Sequence, residues 1–356
     1  MIAPADEGEL AALVAAADGP VRVRGGGSHG IGGPGAPLSL ARLSGITLYE
    51  PGALTMVARA GTPLAEVEAA LAAEGQYLPW EPPDPRALSG ATGAPTIGGV
   101  FATNASGPRR VAAGAARDFL LGVRIVDGHG AVVKNGGRVM KNVTGMDLTR
   151  LMAGAHGTLG ILTEVSFKVL PRPGAVRTLA LPGLDAAQAV AVMARALGSP
   201  HGVTGTAFLP GEGETLLRLE GPEAALPARA DKLAALIGPL AEAACDWAAI
   251  RDARALAGAG DIWRLSLTPT ASPGVVARLP DGARWFLDRG GGRLWVAVAP
   301  GSDLRAALGP IPGHATRITG AGPGRFHPEP PGVAALTRAL REKFDPRGLF
   351  NPGMFD

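Results

Sequence analysis

The feature of the sequence that most constrains the fold is a glycine-rich stretch at residues 20–33, PVRVRGGGSHGIGG. Its first part, VRVR, alternates apolar and basic residues and predicts a short β-strand. The strand runs directly into six glycines within residues 25–33. Glycine loses much backbone entropy on folding, so such a cluster needs a structural reason. We favour a loop whose backbone amides hold an anionic group such as a pyrophosphate, with a tight surface turn as the alternative.

The same stretch matches the dinucleotide-binding pattern GxGxxG twice, starting at Gly25 and at Gly30, and Glu50 follows at a distance suited to a ribose hydroxyl. In that motif the glycines open a helix that crosses over to the next strand. Here PGAPLSLARL follows instead, and the next predicted strand, ITLYE, begins at residue 46. No full crossover helix fits between the two strands. The sequence therefore argues against a Rossmann site and favours a phosphate-binding loop between strands.

Composition is typical of a globular protein and excludes several classes. The 356 residues are 46% hydrophobic and 18% charged, enough for one large or two medium domains. The single cysteine, Cys245, excludes a disulfide framework and a Cys-ligated iron–sulfur cluster within these residues. A net charge of +3 without a basic run gives little support for nucleic-acid binding. The sequence shows neither a signal peptide nor an apolar stretch of membrane-spanning length, so we expect a cytoplasmic location.

Three further segments are rich in small residues. PTIGGVFATNASGPRR, from residue 95, places two glycines where a helix should begin; GTLG, from residue 157, precedes a predicted strand; and NPG begins at residue 351. Together with the first loop they could enclose one long flat ligand with a pyrophosphate, a description that fits a flavin. A glycine-rich packing motif is the simpler alternative. We interpret His156, next to GTLG, as an exposed loop residue.

No common catalytic motif is present. HExxH, Walker A and GxSxG are absent, and no pair of the six histidines has the spacing of metal ligands. We therefore predict no metal site and name no catalytic residue.

The pattern of elements changes after PRP at residues 171–173. Residues 185–237 predict a helix, two strands and a second helix. Residues 262–319 predict strand, helix, strand, strand, helix and strand, the split β-α-β arrangement. A final predicted helix, residues 331–344, runs into FDPRGLFNPG.

The segments RGGGS, PTIGG and GTLGILTEV occur in this order and resemble the FAD-binding domain of the vanillyl-alcohol oxidase/p-cresol methylhydroxylase (PCMH) superfamily. More narrowly, GPRRVAAGAARDF, VMKNVTG and FDPRGLFNPG resemble the family of FAD-binding E subunits of bacterial glycolate oxidase. The resemblance implies an α+β fold with a PCMH-type two-part FAD-binding domain and an inserted α+β, ferredoxin-like cap domain. The implied boundaries are 1–173 for the FAD-binding domain, 174–325 for the cap and 326–356 for a C-terminal segment that returns to the first domain.

The resemblance also implies which residues bind FAD. The first loop would hold the pyrophosphate, the second segment would line the flavin, Ile161 would meet the adenosine or ribitol region, and Asn351 would return near the ring. The implied residues are Arg24, Gly25, Gly26, Gly27, Ser28, His29, Gly30, Thr96, Gly98, Gly99, Asn104, Gly107, Gly160, Ile161 and Asn351. Many covalent relatives bond a histidine of this loop to the flavin. Because Ser28 stands at that position and His29 one residue later, we expect non-covalent FAD.

The implied activity is that of an FAD-dependent oxidoreductase acting on CH–OH groups: a subunit of a complex that oxidises glycolate, a small 2-hydroxy acid, to glyoxylate by hydride transfer to the flavin. The implied partners are a D-type FAD subunit and an iron–sulfur subunit that accepts the electrons, and the complex leaves open a peripheral membrane association. D-type relatives carry a histidine-rich metal site and a substrate-binding arginine in the cap. The cap region of this sequence has no such cluster: Arg325-Phe326-His327 is the nearest candidate, and a lone histidine beside proline is more often structural. We therefore expect substrate oxidation mainly on the D-type partner. A self-contained FAD-dependent alcohol oxidase and a flavin-free scaffold subunit remain alternatives.

Overall fold

The computed structural model describes residues 1–30, 33–138, 145–322 and 324–355. Most of the VMKNVTG segment lies outside these ranges. Residues 1–171, here called the N-terminal part, contain nine strands among the described residues: β1 (Val21–Arg24), β2 (Ala36–Ser39), β3 (Ile46–Glu50), β4 (Thr55–Arg59), β5 (Gln76–Tyr77), β6 (Leu120–Val126), β7 (Val132–Gly136), β8 (Ile161–Lys168) and β9 (Leu170–Pro171). Five of them form an antiparallel sheet in the order β3-β4-β8-β6-β7. Its strands β6 and β7 form an antiparallel hairpin.

Short helices cover this sheet: α1 (Glu7–Ala15), α2 (Leu64–Ala73), α3 (Arg86–Ser89), α4 (Ile97–Ala102), α5 (Arg110–Ala113), α6 (Ala116–Phe119) and α7 (Leu148–Met152). The Asp6 side chain caps α1 by accepting a hydrogen bond from the Glu9 amide. The predicted helix start at PTIGG is confirmed, with the Thr96 hydroxyl as the N-cap of α4.

An aromatic cluster fixes α4 against the sheet. The fully buried Trp80 ring lies 5.4 Å from the Phe101 ring of α4, 5.2 Å from Phe119 and 6.1 Å from Phe167 of β8, measured between centroids. Tilted and edge-on aromatic pairs at such distances add to the free energy gained by burying the rings. The helix that carries the second glycine-rich segment therefore has a rigid support.

The glycine-rich loop connects two parallel strands. β1 pairs with β2 in parallel register from Val21 opposite Ala36 to Arg24 opposite Ser39. Among residues 25–30 and 33–35 the structure contains no helix, so the argument against a Rossmann crossover is confirmed. The prediction that ITLYE is the next strand was wrong, because β2 precedes it. In the sequence, Pro34 and Pro37 argue against a strand in this segment, but proline is tolerated in a peripheral strand such as β2.

The eight strands of the second region form one antiparallel sheet, here called the cap sheet: β10 (Ala175–Pro182), β11 (Val203–Leu209), β12 (Glu214–Gly221), β13 (Ala241–Glu242), β14 (Asp261–Leu267), β15 (Arg284–Asp288), β16 (Arg293–Val298) and β17 (Gly313–Arg317). Their order is β13-β10-β12-β11-β15-β16-β14-β17. The helices of this region are α8 (Ala186–Leu197), α9 (Leu226–Ile237), α10 (Trp247–Arg251), α11 (Ser272–Val276) and α12 (Leu304–Leu308).

The cap sheet consists of two β-α-β-β-α-β units joined edge to edge through β11 and β15. The second unit, β14 to β17, was predicted and is confirmed. The first unit was predicted in part, because β10 and the two-residue, exposed β13 were missed. The helices of both units bury one face of the sheet, in a core that includes Met193, Leu217 and Trp263.

The C-terminal segment returns to the N-terminal part. After α13 (Pro331–Phe344), the Val21 amide donates to the Leu349 carbonyl at 2.7 Å, and the Asn351 amide donates to the Val21 carbonyl at 3.0 Å. This contact lies beside the strand that leads into the glycine-rich loop. The exact domain boundaries stay a prediction. Within the described ranges, no helix is long and apolar enough to cross a bilayer.

Candidate functional site

A cavity of about 510 Å³ lies between the glycine-rich loop, the start of α4, the C-terminal return and the end of β17. Its volume is in the range of ligand and cofactor sites. The structure brings most of the predicted residues to its wall, namely Arg24, Gly25, Gly26, Gly27, Ser28, His29, Gly30, Thr96, Gly98, Gly99, Ile161 and Asn351.

The backbone amides of the loop are available for a ligand. None of the N–H groups of residues 25–29 donates a hydrogen bond to another described residue, although all five residues line the cavity. Buried or half-buried amides nearly always have a partner, so five consecutive free donors indicate a site for an acceptor that is not part of the protein. Successive amides in a turn conformation bind anions such as phosphates.

The glycines of the loop are required by close packing. A Cβ atom on Gly26 would overlap the Ala94 carbonyl, and a Cβ on Gly25 would overlap the Thr96 hydroxyl. At Gly27 the backbone has φ +81°, a conformation that favours glycine. The loop is therefore pressed against residues 93–96, which leaves its amides facing the cavity.

Asn351 connects three parts of the wall. Its Oδ1 accepts a hydrogen bond from the Val23 amide at 2.8 Å, and its Nδ2 donates to the His156 carbonyl at 2.8 Å. The C-terminal segment is thus fixed to β1 on one side and to the turn before β8 on the other. This position agrees with the prediction that Asn351 returns near the ligand.

Two histidines line the cavity, and both are neutral near pH 7. Burial, with a smaller contribution from Arg325, lowers the pKa of His29 to about 4 and the pKa of His156 to about 3. The His156 ring packs edge-on against Phe326 and Phe355, 4.9 Å and 5.6 Å away between centroids. The interpretation of His156 as an exposed loop residue was wrong, because the returning C-terminal segment covers it.

The opposite wall comes from the cap sheet and the chain that follows it. Arg317, at the end of β17, lines the cavity together with residues 318–320 and Arg325. The Arg325 guanidinium donates to the Ile318 carbonyl at 3.2 Å. Burial, with a smaller contribution from Arg317, lowers the pKa of Arg325 to about 10, so it remains a cation. This wall offers cationic side chains, and the glycine wall offers backbone dipoles beside Arg22 and Arg24.

Three predicted residues lie outside the cavity lining. The Asn104 Oδ1 accepts a hydrogen bond from the Arg117 amide at 3.0 Å. The Gly107 amide donates to the Trp80 carbonyl at 2.7 Å, and a side chain at this position would overlap Glu81. Gly160 has φ +155° and sets the entry into β8. Their positions give them roles in packing around the site rather than in its wall.

Sequence reasoning missed His156 and residues 317–320 as parts of the wall. No local motif marks residues 317–320, because the cap sheet brings them to the cavity from far along the chain. His156 does carry a signal, since it stands directly before the glycine of GTLG. The structure contains no group of three or more His, Cys, Asp or Glu side chains that could hold a metal, as far as the chain is described.

Comparison with known proteins decides the family. A family model described as an FAD binding domain matches residues 1–136. The glycolate oxidase subunit GlcE of Escherichia coli (strain K12) is 37% identical over 312 residues, which are 87% of this chain and 84% of that protein. The chain belongs to the GlcE family. The glycolate oxidase subunit GlcD of Bacillus subtilis (strain 168) is 33% identical over 165 residues, 45% of this chain and 34% of that subunit.

The fold of this GlcE family member is the PCMH-type α+β fold. An alkyldihydroxyacetonephosphate synthase structure superposes with a TM-score of 0.70 over 99% of this chain and 75% of that one, at 16% identity. The cofactor is FAD, as the matched domain and the relatives indicate. The free amides of residues 25–29 fit its pyrophosphate, because each can donate to a phosphate oxygen without losing a protein partner.

Proposed function

We propose that the chain is the FAD-binding subunit of a glycolate oxidase complex, which oxidises the CH–OH group of glycolate to glyoxylate and passes the electrons to an iron–sulfur partner. The free backbone amides of residues 25–29 are the observation that supports FAD binding by this chain. FAD, when bound, supplies the two-electron acceptor. The family relationship supports a role in a glycolate oxidase complex, since relatives of this chain are named as glycolate oxidase subunits.

Different segments of the chain would bind different parts of FAD. The glycine-rich loop would hold the pyrophosphate, and the start of α4 with Gly98 and Gly99 lets the backbone approach a flat ring. Asn351 and the segment after it close the same side. Non-covalent attachment is part of the proposal. Ser28 lies at the position of the flavin-linked histidine in covalent relatives, and the Ser28 hydroxyl lies 3.5 Å from Nδ1 of His29.

An iron–sulfur cluster held by cysteines must come from a partner. Cys245 is the single cysteine of the sequence, and it lies half-buried in the cap region. Burial raises the pKa of its thiol to about 11, which makes it a poor metal ligand near pH 7. The electron acceptor of the proposed complex is therefore a separate subunit.

The test is an absorbance spectrum of the purified chain before and after acid precipitation. We expect a flavin spectrum, with the flavin released into the acid supernatant. Flavin that stays in the pellet would contradict the non-covalent attachment, and a colourless protein that takes up no added FAD would support a scaffold subunit instead.

A second experiment tests the complex. The chain is mixed with purified D-type and iron–sulfur subunits, and glycolate-dependent reduction of a dye is measured together with co-purification. We expect stable association and high activity for the mixture, and little dye reduction by the isolated chain. Strong turnover by the isolated chain would support a self-contained oxidase.

A further inference from the structure

The turn that follows α4, residues 103–107 and here called the α4 turn, belongs both to the cavity and to the contact between the two regions. On one side, Thr103 and Ala105 line the cavity. On the other side, the backbone carbonyls of Ser106 and Gly107 accept hydrogen bonds from the cap region. A displacement of the cap relative to the N-terminal part would therefore reach the cavity wall through this short segment.

Two arginines of the cap make these contacts. Arg289, in the turn between β15 and β16, donates to the Ser106 carbonyl and, from its Nε at 3.2 Å, to the Gly107 carbonyl. Arg293, at the start of β16, donates to the same Ser106 carbonyl at 3.1 Å. Hydrogen bonds from a charged donor are stronger than those between neutral groups. Three such bonds to two consecutive carbonyls hold the α4 turn in one place relative to the cap.

The surroundings of these arginines are rigid. Asp288 and Arg293 are 0% and 2% exposed, and both carboxylate oxygens of Asp288 accept hydrogen bonds from the Arg293 guanidinium. Beside them, the Gly290 amide donates to the buried Thr206 hydroxyl of β11 at 2.8 Å. A side chain that is locked by packing and by hydrogen bonds of its own can hold its partner in a defined position.

The α4 turn needs such support because its backbone conformation is unfavourable. Asn104 has φ +48°, in the left-handed region that favours glycine. A residue other than glycine keeps this conformation only where the surrounding structure fixes it. The Arg117 amide, which donates to Asn104 Oδ1, supplies one such contact from the N-terminal part, and the cap arginines supply the others. The position of Ala105 in the cavity wall therefore depends on the cap.

We propose that Arg289 and Arg293 are positioning residues for the cofactor site, and that they couple the attachment of the cap to the affinity of the cavity for FAD. Neither arginine is among the described residues that line the cavity, so each acts through the α4 turn. Such coupling is reciprocal: if the cap favours the conformation that binds FAD, bound FAD strengthens the contact with the cap by the same factor. The inference rests on the proposed function in one respect, which is that FAD is the ligand of the cavity.

A purely structural role leads to a different expectation. If the two arginines only fastened the cap, their replacement would lower the melting temperature and leave FAD binding by the folded chain unchanged. If they position the α4 turn, FAD binding weakens even where every molecule is folded. FAD affinity, measured well below the melting temperature, therefore separates the two roles.

In the experiment, the chain is stripped of flavin and titrated with FAD, and the fluorescence of the flavin reports binding. We expect Arg289→Gln and Arg293→Lys each to raise the Kd for FAD by about 5- to 50-fold, within the range of typical couplings between sites. Arg289→Gln leaves no carboxylate without its partner, because both hydrogen bonds of this side chain end on backbone carbonyls. Arg293→Lys keeps a cation beside Asp288 but loses the planar donor that serves Asp288 and Ser106 together.

The matched control is Arg229→Gln. The Arg229 guanidinium donates to the backbone carbonyls of His201, Gly202 and Glu220 at 2.8–2.9 Å, and all three lie within the cap region. The substitution removes the same kind of contact as Arg289→Gln without touching the α4 turn. We expect it to lower the melting temperature and to leave the Kd for FAD within about 2-fold of the wild-type value.

Hydrogen exchange tests the reciprocal effect in the wild-type chain. Bound FAD should slow exchange at the amides of residues 289–293, which lie outside the cavity wall, and this protection should shrink in Arg289→Gln. Unchanged FAD affinity in both variants, an equal loss of affinity in Arg229→Gln, or exchange at residues 289–293 that does not respond to FAD would each overturn the proposal. Failure of the proposed function is seen separately, as a wild-type chain that binds no FAD.

Discussion

The two walls of the cavity differ in the groups that they present to a ligand. The glycine wall presents the backbone amides of one continuous stretch, residues 25–29, of which three are glycines. The cap wall presents arginine side chains that come from the end of β17 and the segment after it. A wall made of backbone amides can be predicted from consecutive residues of the sequence. A wall made of side chains from separate segments can be recognised only in the folded structure. Mutations should therefore affect the two walls in different ways.

The largest effect is expected where the two regions are joined. Arg218 is almost fully buried and binds Glu81 across the interface. Its replacement in Arg218→Ala leaves the Glu81 carboxylate without its main partner and should lower the free energy of unfolding by about 3–5 kcal/mol. Urea unfolding measures this loss. As the control, Arg150→Ala removes an exposed ion pair with Asp147 and should cost less than about 1 kcal/mol. Equal losses would contradict the special role of the interface.

The next effect tests the glycine wall. Gly26→Ala places a methyl group against the Ala94 carbonyl, so the loop must shift. We expect a loss of about 1–3 kcal/mol and a strongly reduced flavin content, read from the absorbance of the purified protein. Gly19→Ala is the matched control, because nothing lies within 4 Å of the added methyl group, its φ is not positive and Gly19 does not line the cavity. A Gly26→Ala protein with full flavin content would show that the loop tolerates side chains.

The third effect concerns pH. The pKa values of His29 and His156 are about 4 and about 3, below the usual 6.5, so the unfolded chain binds protons first as the pH falls. Stability from these groups is complete above pH 6.5 and is lost on acidification towards those values, by up to about 1.4 kcal/mol per pH unit for each histidine. Melting temperatures between pH 7.5 and 4.5 measure the slope, and His156→Gln should flatten it. An unchanged slope in that variant would mean that the pKa of His156 is the same in the folded and the unfolded chain.

The smallest effect is expected at the C-terminal return. Asn351→Asp keeps the acceptor for the Val23 amide but loses the donor to the His156 carbonyl. We expect a loss of about 1 kcal/mol near pH 7, measured by urea unfolding. The loss should shrink at a pH low enough to protonate the new carboxyl group, which can then donate again. A loss that does not depend on pH would point to another cause.

The sequence predicted the parts of the fold that depend on local patterns. The second β-α-β-β-α-β unit, the start of α4 and the glycine-rich loop all follow from periodicity, turn residues and glycine spacing within one segment. β2 was missed because Pro37 argues against a central strand, in which proline would remove a hydrogen bond of the ladder. β2 is a peripheral strand, where proline is tolerated. β13 was missed because two exposed residues carry no pattern.

The same division applies to the site. Twelve of the fifteen predicted residues line the cavity, because most of them belong to short glycine-rich segments or follow them closely. His156 was misplaced because its burial depends on Phe355, nearly two hundred residues further along the chain. Arg317 carried no local signal, because the cap sheet brings the end of β17 to the cavity from far along the chain.

The hydrogen bonds that join residues 349–351 to Val21 have a consequence for biosynthesis. During translation the first strand and its loop leave the ribosome long before the segment that completes their surroundings. The cofactor pocket cannot close until the last residues of this sequence emerge. We therefore expect FAD to bind only after synthesis of the chain is nearly complete. A chain truncated before residue 349 should be released from the ribosome without FAD.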